Sequence, residues 1–386
     1  MDEKRITELA DELASIYTGW ETDTIVYIVE KLKVIGNMSP AELQTFNNVA
    51  EAKRDTEILF KKLAKASEKS VSEVKRIYGE AISNLHADKK ALFDYRGKEF
   101  LPLEQNTWLK SLVQAYARTS AETMINITQT KAIGFKTSNG FVQLENALYD
   151  EFGRATISAR TGGTTFRTSV MNTIERLGGS GVRVQYLNIK RRLDSVVRQN
   201  ILWGVNQAAD EYEREIGDEL GCDGIEIDYH AHSRPSHEFM QGKQYSLEGE
   251  RLIGGKRYPD AEHAGVLKAL NDYGCRHIAS RIICGVSVPA YTDAELAKLK
   301  KKDEKTFEIG DKLLSGYDAL QVMRRIETEV RKEKVTLEGL KAAAASQDAL
   351  KKHRDRIAEF QKKHQEIADL IGDKVDNTRM EIRVAK

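Results

Sequence analysis

Apolar positions recur every three or four residues over most of this chain, the spacing that lays one stripe along an α-helix. The segments "ETDTIVYIVEKLKVI" (21–35) and "VSEVKRIYGEAISNL" (71–85) carry it, so residues 1 to about 95 are expected to be helical. Between them "SPAEL" offers Ser39 as N-cap, Pro40 at the first helical position and Glu42 to close a capping box. The pattern breaks at "DYRGKEFLPLEQ" (94–105), a linker or turn, and resumes from about 103 to 220. Two glycine-rich spots interrupt it, "TGGTT" (161–165) and "GGSG" (178–181). Neither is followed by the Gly-Lys-Ser/Thr of a phosphate loop, so both are expected to break helices. Leu193, Val197, Ile201, Val205, Ala208, Tyr212 and Ile216 then mark one face of a long amphipathic helix.

The period changes after Gly221. "GIEIDYHAH" (224–232) alternates as a half-buried strand would, and "KQYSL", "ERLIGGKRYP" and "RIICGVSVP" suggest further short strands. One helix, "AGVLKALNDY", lies among them. From Thr292, "TDAEL" opens another capped helix with Glu295, and the remainder is expected to be charged helix. Leu350, Ile357, Phe360, Ile367 and Ile371 suggest a helical hairpin or coiled coil, with "KAAAASQ" (341–347) as its hinge. His353 and His364 fall on that stripe as packing or register residues. The expected fold is mainly α: long helices flank a small α+β module, and a charged helical or coiled-coil tail follows. The expected units are an N-terminal helical region (1–100), a second helical region (101–220), the small module (221–292) and the tail (293–386).

Composition narrows the classes. Lys and Arg number 60 against 59 Asp and Glu, a net charge of +1, so a duplex-coating protein is disfavoured and any DNA contact should be local. No uninterrupted apolar run is long enough to span a membrane, and "MDEKRITELADELASIY" lacks the apolar core of a signal peptide; a soluble intracellular product is expected. Three cysteines argue against a disulfide framework.

Residues 221–291 hold all three cysteines and five of the eight histidines, which makes this segment the place to look for chemistry. Zinc takes about four nitrogen or sulfur donors, commonly delivered as two close pairs. His230, His232 and His237 form one candidate arm, and Cys275 with His277 the other; His263 is a spare. The spacings match no standard finger. The alternative is that these side chains, with Arg234, hydrogen-bond backbone groups in a module with little apolar core. Glu238 or Asp228 would serve as a base if the site were catalytic, and Ser236 beside His237 is a weaker nucleophile candidate.

"LGCDGIEIDYHAHSRPSHEFMQGKQYSL" and "GCRHIASRIICGVSVPAYTDAEL" together resemble the phage minor capsid protein 2 family, within the Mu F-like head-morphogenesis proteins of tailed phages. The chain keeps that pattern at His230, Ala231, Arg234, Pro235, Ser236, His237, Gln241, Gly242 and Lys243. It keeps it again at Cys275, Arg276, His277, Gly285, Ser287, Pro289, Tyr291 and Thr292. It departs at His232 and Met240, where glycine and tryptophan are usual, and in "EHAGVLKALNDYGCRH". The helices before and after the module also match, so the resemblance covers roughly residues 105–335. Some Mu F-like relatives carry cysteines where His237, Arg234 and His277 stand here. The resemblance therefore implies a structural zinc, with His230 or His232 replacing a lost donor.

It also implies a structural, non-enzymatic protein of the virion, in the head interior or near the portal, and in the host cytoplasm during assembly. Its expected partners are the portal protein and the major capsid or scaffold protein. Packaged DNA would be touched non-specifically through Lys190, Arg191, Arg192, Arg324, Arg325, Arg331 and Lys332. The rival class is a metal-dependent nuclease or hydrolase built on the His/Cys cluster; a toxin-like effector is less well supported, because the tail shows no active-site pattern.

Overall fold

The protein is described from a computed structural model over residues 3–129, 132–137, 140–161, 163–186, 189–272 and 274–383. Its N-terminal helices are α1 (Glu3–Gly36), α2 (Pro40–Thr45), α3 (Asn48–Asp88), α4 (Lys90–Arg96) and α5 (Thr107–Gln129). The capping box at α2 is formed: Ser39 Oγ accepts from the Glu42 N–H, and the Glu42 carboxylate accepts from the Ser39 N–H. Gly97, in the left-handed region at φ +62°, ends α4 and begins the turn expected there. No described helix is long and apolar enough to cross a membrane.

Residues 101–220 depart from the all-helical expectation. After β1 (Ile133–Thr137) and β2 (Gly140–Gln143) come α6 (Leu144–Thr161) and α7 (Gly163–Ser180). Then follow β3 (Val182–Tyr186), β4 (Ile189–Arg192) and α8 (Leu193–Leu220). The four strands form one antiparallel sheet in the order β2-β1-β3-β4. Strands of four or five residues give too few alternations to stand out beside long helical periods. Gly162 of the first glycine-rich spot lies outside the described residues; the second ends α7, and Gly181 at φ +65° turns the chain into β3.

Gly134 is required by close approach in that sheet. A Cβ there would fall inside contact distance of the Val142 carbonyl oxygen on β2. Gly134→Val should therefore separate β1 from β2 and lower stability by about 1–3 kcal/mol, read by urea denaturation. A loss near zero would show that the hairpin bends freely.

The small module contains β5 (Gly224–Ile227), β6 (Gln244–Ser246), β7 (Arg251–Ile253), β8 (Lys256–Tyr258), α9 (Val266–Leu270) and β9 (Ala279–Ile282). β5 is the centre of an antiparallel β6-β5-β9 sheet, and β7 and β8 form a separate hairpin. The expected half-buried alternation of β5 is not observed: all four of its residues are buried. Its one charged side chain, Glu226, is satisfied by Gln244 Nε2 at 2.9 Å and the Ala290 N–H at 2.6 Å.

The tail begins with α10 (Asp293–Asp303), whose Thr292–Glu295 capping box is present. It then contains a hairpin the helical expectation omitted, β10 (Thr306–Ile309) and β11 (Lys312–Ser315), turning at Gly310 with φ +62°. α11 (Gly316–Ala342) and α12 (Gln347–Ile371) follow, joined by a short turn in which Ala344 has φ +49°. His353 and His364 are fully buried rather than partly so, because carboxylates meet them. His353 bridges Glu333 at 2.6 Å and Glu175 at 2.9 Å, and His364 faces Glu327 at 3.3 Å.

One large core runs through α1, α3, α5–α8 and the four-stranded sheet. All seven residues of the predicted α8 stripe are buried in it. The module has a separate core of nine buried residues around Ile225, Ile227 and Met240, and a third cluster joins α11 to α12. A core that small stabilises its own fold weakly and gains from additional ties.

Candidate metal centre

The histidine arm is placed by a turn between β5 and β6. Pro235 opens a single 3-10 turn over Pro235–His237, closed by the His237 N–H donating to the Arg234 carbonyl at 2.8 Å. The turn drives His237 inward until it is 2% exposed. Gly242, at φ +66°, returns the chain with its N–H on the Ile227 carbonyl at 2.9 Å. The second arm precedes β9, and Asn206 of α8 holds it by donating to the Cys275 carbonyl at 2.8 Å.

Three of the five sequence-predicted donors converge. Cys275 Sγ lies 3.6 Å from His237 Nδ1 and 3.6 Å from His277 Nδ1, and all three residues are buried. The far ring nitrogens are also engaged: His237 Nε2 with Asp272 Oδ2 at 3.2 Å, and His277 Nε2 with Gln241 Oε1 at 3.0 Å. Burial pushes the Cys275 thiol above its ordinary pKa, and Asp228 and Asp272 add to that. The His277 backbone N–H and Arg234 pull the other way.

His230 stands beside this set without joining it. It belongs to a second group with Asp228 and His277: its Nε2 is 2.9 Å from Asp228 Oδ2, and its ring is centred 4.5 Å from that of His277. His232 joins neither group. It takes φ +56°, lies against Gly316 and faces Asp303 at 3.4 Å, so it ties the module to the tail instead of supplying a donor. His263 is exposed and paired with Asp260, while Ser236 and Glu238 are exposed. Sequence reasoning missed Asp272 and gave Gln241 no role, yet these two side chains orient the rings. Gln241 does stand among the positions that keep the family pattern, whereas the sequence signal for Asp272 is nearness to Cys275.

The basic stretches are also resolved by burial. Arg192 is held by Glu21 at 3.1 Å and by Asp194 at 3.3 Å, and Arg331 by Asp194 at 2.9 Å. Both are buried, so neither can meet a phosphate. Arg324 and Lys332 are half-buried, leaving Lys190, Arg191 and Arg325 as the exposed cations of the set.

The model of the family described as phage minor capsid protein 2 matches residues 1–369, and the chain belongs to that family. No curated protein and no solved structure matches it.

Proposed function

We propose that this phage minor capsid protein is a non-enzymatic head component seated near the portal, with the small module as its docking knob and the long helices as contact area for portal, major capsid or scaffold protein. What carries the reading is a pair of large apolar side chains that the module leaves exposed. Leu252 of β7 is 74% exposed and Val288 is 86% exposed, and the Gly285 turn leading to Val288 lies against Ile253 of the same hairpin. Large apolar side chains that a small module leaves in water are read as contacts that a partner covers. The family membership and the near-neutral charge suit a low-copy structural component better than a DNA-condensing one. Exposed Lys190, Arg191 and Arg325 supply the non-specific contact with packaged DNA.

The hydrolase reading draws less support. The carboxylates nearest the cluster, Asp228 and Asp272, are bonded to His230 and His237 rather than placed to activate a water.

The test is co-purification with the portal protein of the same phage or prophage. The wild-type chain should be retained, and a Leu252→Asp/Val288→Asp variant should bind at least about tenfold more weakly, since a buried apolar interface contact is worth about 1 kcal/mol or more. Failure of the wild-type chain to bind portal, procapsid or scaffold would remove the assignment.

A further inference from the structure

The proton arrangement of the cluster indicates what it holds. His237 Nε2 faces a carboxylate oxygen of Asp272, which accepts only. His277 Nε2 faces Gln241 Oε1, and that oxygen is fixed as the acceptor because the His230 backbone N–H donates to it at 2.8 Å. Each neutral ring therefore carries its hydrogen on Nε2 and a lone pair on Nδ1. Both lone pairs are directed at one sulfur, which also receives the His277 backbone N–H. A thiol has one proton and can donate it to only one of the two rings, whereas a cation takes all three donors together.

The dimensions agree. Zinc–sulfur bonds of about 2.3 Å and zinc–nitrogen bonds of about 2.0–2.1 Å on a tetrahedron place sulfur and nitrogen about 3.6 Å apart. The structure has 3.6 Å on both edges.

We propose that His237 Nδ1, Cys275 Sγ and His277 Nδ1 bind one zinc-class divalent ion that pins the β5–β6 turn to the segment entering β9. Binding releases the thiol proton to solvent. Asp272 and Gln241 are positioning residues: they hold the two Nδ1 lone pairs toward the metal without touching it. His230 remains with Asp228, and His232 with Asp303. This ion staples a module of small core, and it does not depend on where in the head the protein sits.

The experiment is metal analysis of the full-length chain purified without chelator, followed by replacement with cobalt. About one zinc per chain is expected, with a sulfur-to-cobalt charge-transfer band after replacement. Cys275→Ser should abolish the band, whereas Cys222→Ser and Cys284→Ser should keep it. Asp272→Asn and Gln241→Ala should each weaken binding about 10–100-fold while retaining the band at high metal. If Cys275→Ser does not fold, the wild-type chain still decides: Cys275 alkylation should be slow with metal and fast after chelation. Absence of stoichiometric metal and of any cobalt band would overturn the proposal. So would a band unchanged in Cys275→Ser, or alkylation of Cys275 indifferent to chelator.

Discussion

Asp194→Ala should lower the unfolding free energy by about 3–5 kcal/mol, the scale of breaking one side of a buried ion pair. Asp194 is 1% exposed at the start of α8. Its two oxygens meet Arg192 Nε at 3.3 Å and Arg331 Nε at 2.9 Å, so it joins β4 to α11. Arg192 would keep Glu21, whereas Arg331 would lose its ion-pair partner and keep the Arg379 carbonyl, Thr328 and the more distant charge of Glu327. Burial already holds the Arg331 guanidinium below its ordinary pKa.

Chemical denaturation of the variant should show a lower midpoint with an unchanged slope. A loss below about 1 kcal/mol would mean that water reaches the network and that it behaves like a surface pair.

Acid should act on the same residue. Burial would raise the Asp194 pKa, but Arg192, Arg331 and Arg198 outweigh it and hold the carboxyl below its ordinary 3.8. A depressed carboxyl contributes fully above its unfolded pKa and loses that contribution as pH falls through the folded one. The wild-type chain should therefore lose this contribution only below about pH 4, and Asp194→Asn should flatten that part of the acid limb.

Lys89→Ala should have a comparable cost, about 3–5 kcal/mol, and should act at the junction between helical body and module. Lys89 Nζ is 2.7 Å from Glu213 Oε2 and donates to the Arg281 carbonyl of β9 at 3.1 Å. The same Glu213 oxygen accepts the Arg281 N–H at 2.7 Å. One buried ion pair thus clamps the module's edge strand onto α8. Without Lys89, Glu213 would remain buried without its counter-ion, and burial already raises that carboxyl's pKa.

Hydrogen exchange in β9 should rise more than exchange in α1 or α3, since the loss is local to the junction. Lys89→Met/Glu213→Leu should recover much of the stability, because a well-packed apolar pair replaces a buried ion pair at little net cost. Equal destabilisation of the double variant would show that the hydrogen bonds to β9, rather than the unpaired charge, carry the effect.

Much of the fold is legible in the sequence alone. The α8 stripe, the capping boxes at Ser39 and Thr292 and the turn between α11 and α12 all follow from contacts within about four residues. So did the candidate donors, since histidine and cysteine gathered in one segment are visible in a composition count. The sheet β2-β1-β3-β4 was not legible, because its strands are short and β1 pairs with β3 across two helices. The tail hairpin was missed because "TFEIGDKLLS" is short beside the charged helices around it.

What the sequence determined by itself was therefore local: which segments become helix, where they stop, and which side chains were available as donors. The tertiary structure decided which of them meet. His237 and Cys275 are 38 residues apart, and Arg192 and Glu21 are 171 apart. Only the folded backbone could direct His232 to Asp303 while sending His237 to the sulfur. It also turned Arg192 and Arg331 from expected DNA contacts into buried partners of acids. Hydrophobic period and capping act through near neighbours, whereas donor convergence and charge pairing depend on chain closure over long loops, which no short window of sequence records.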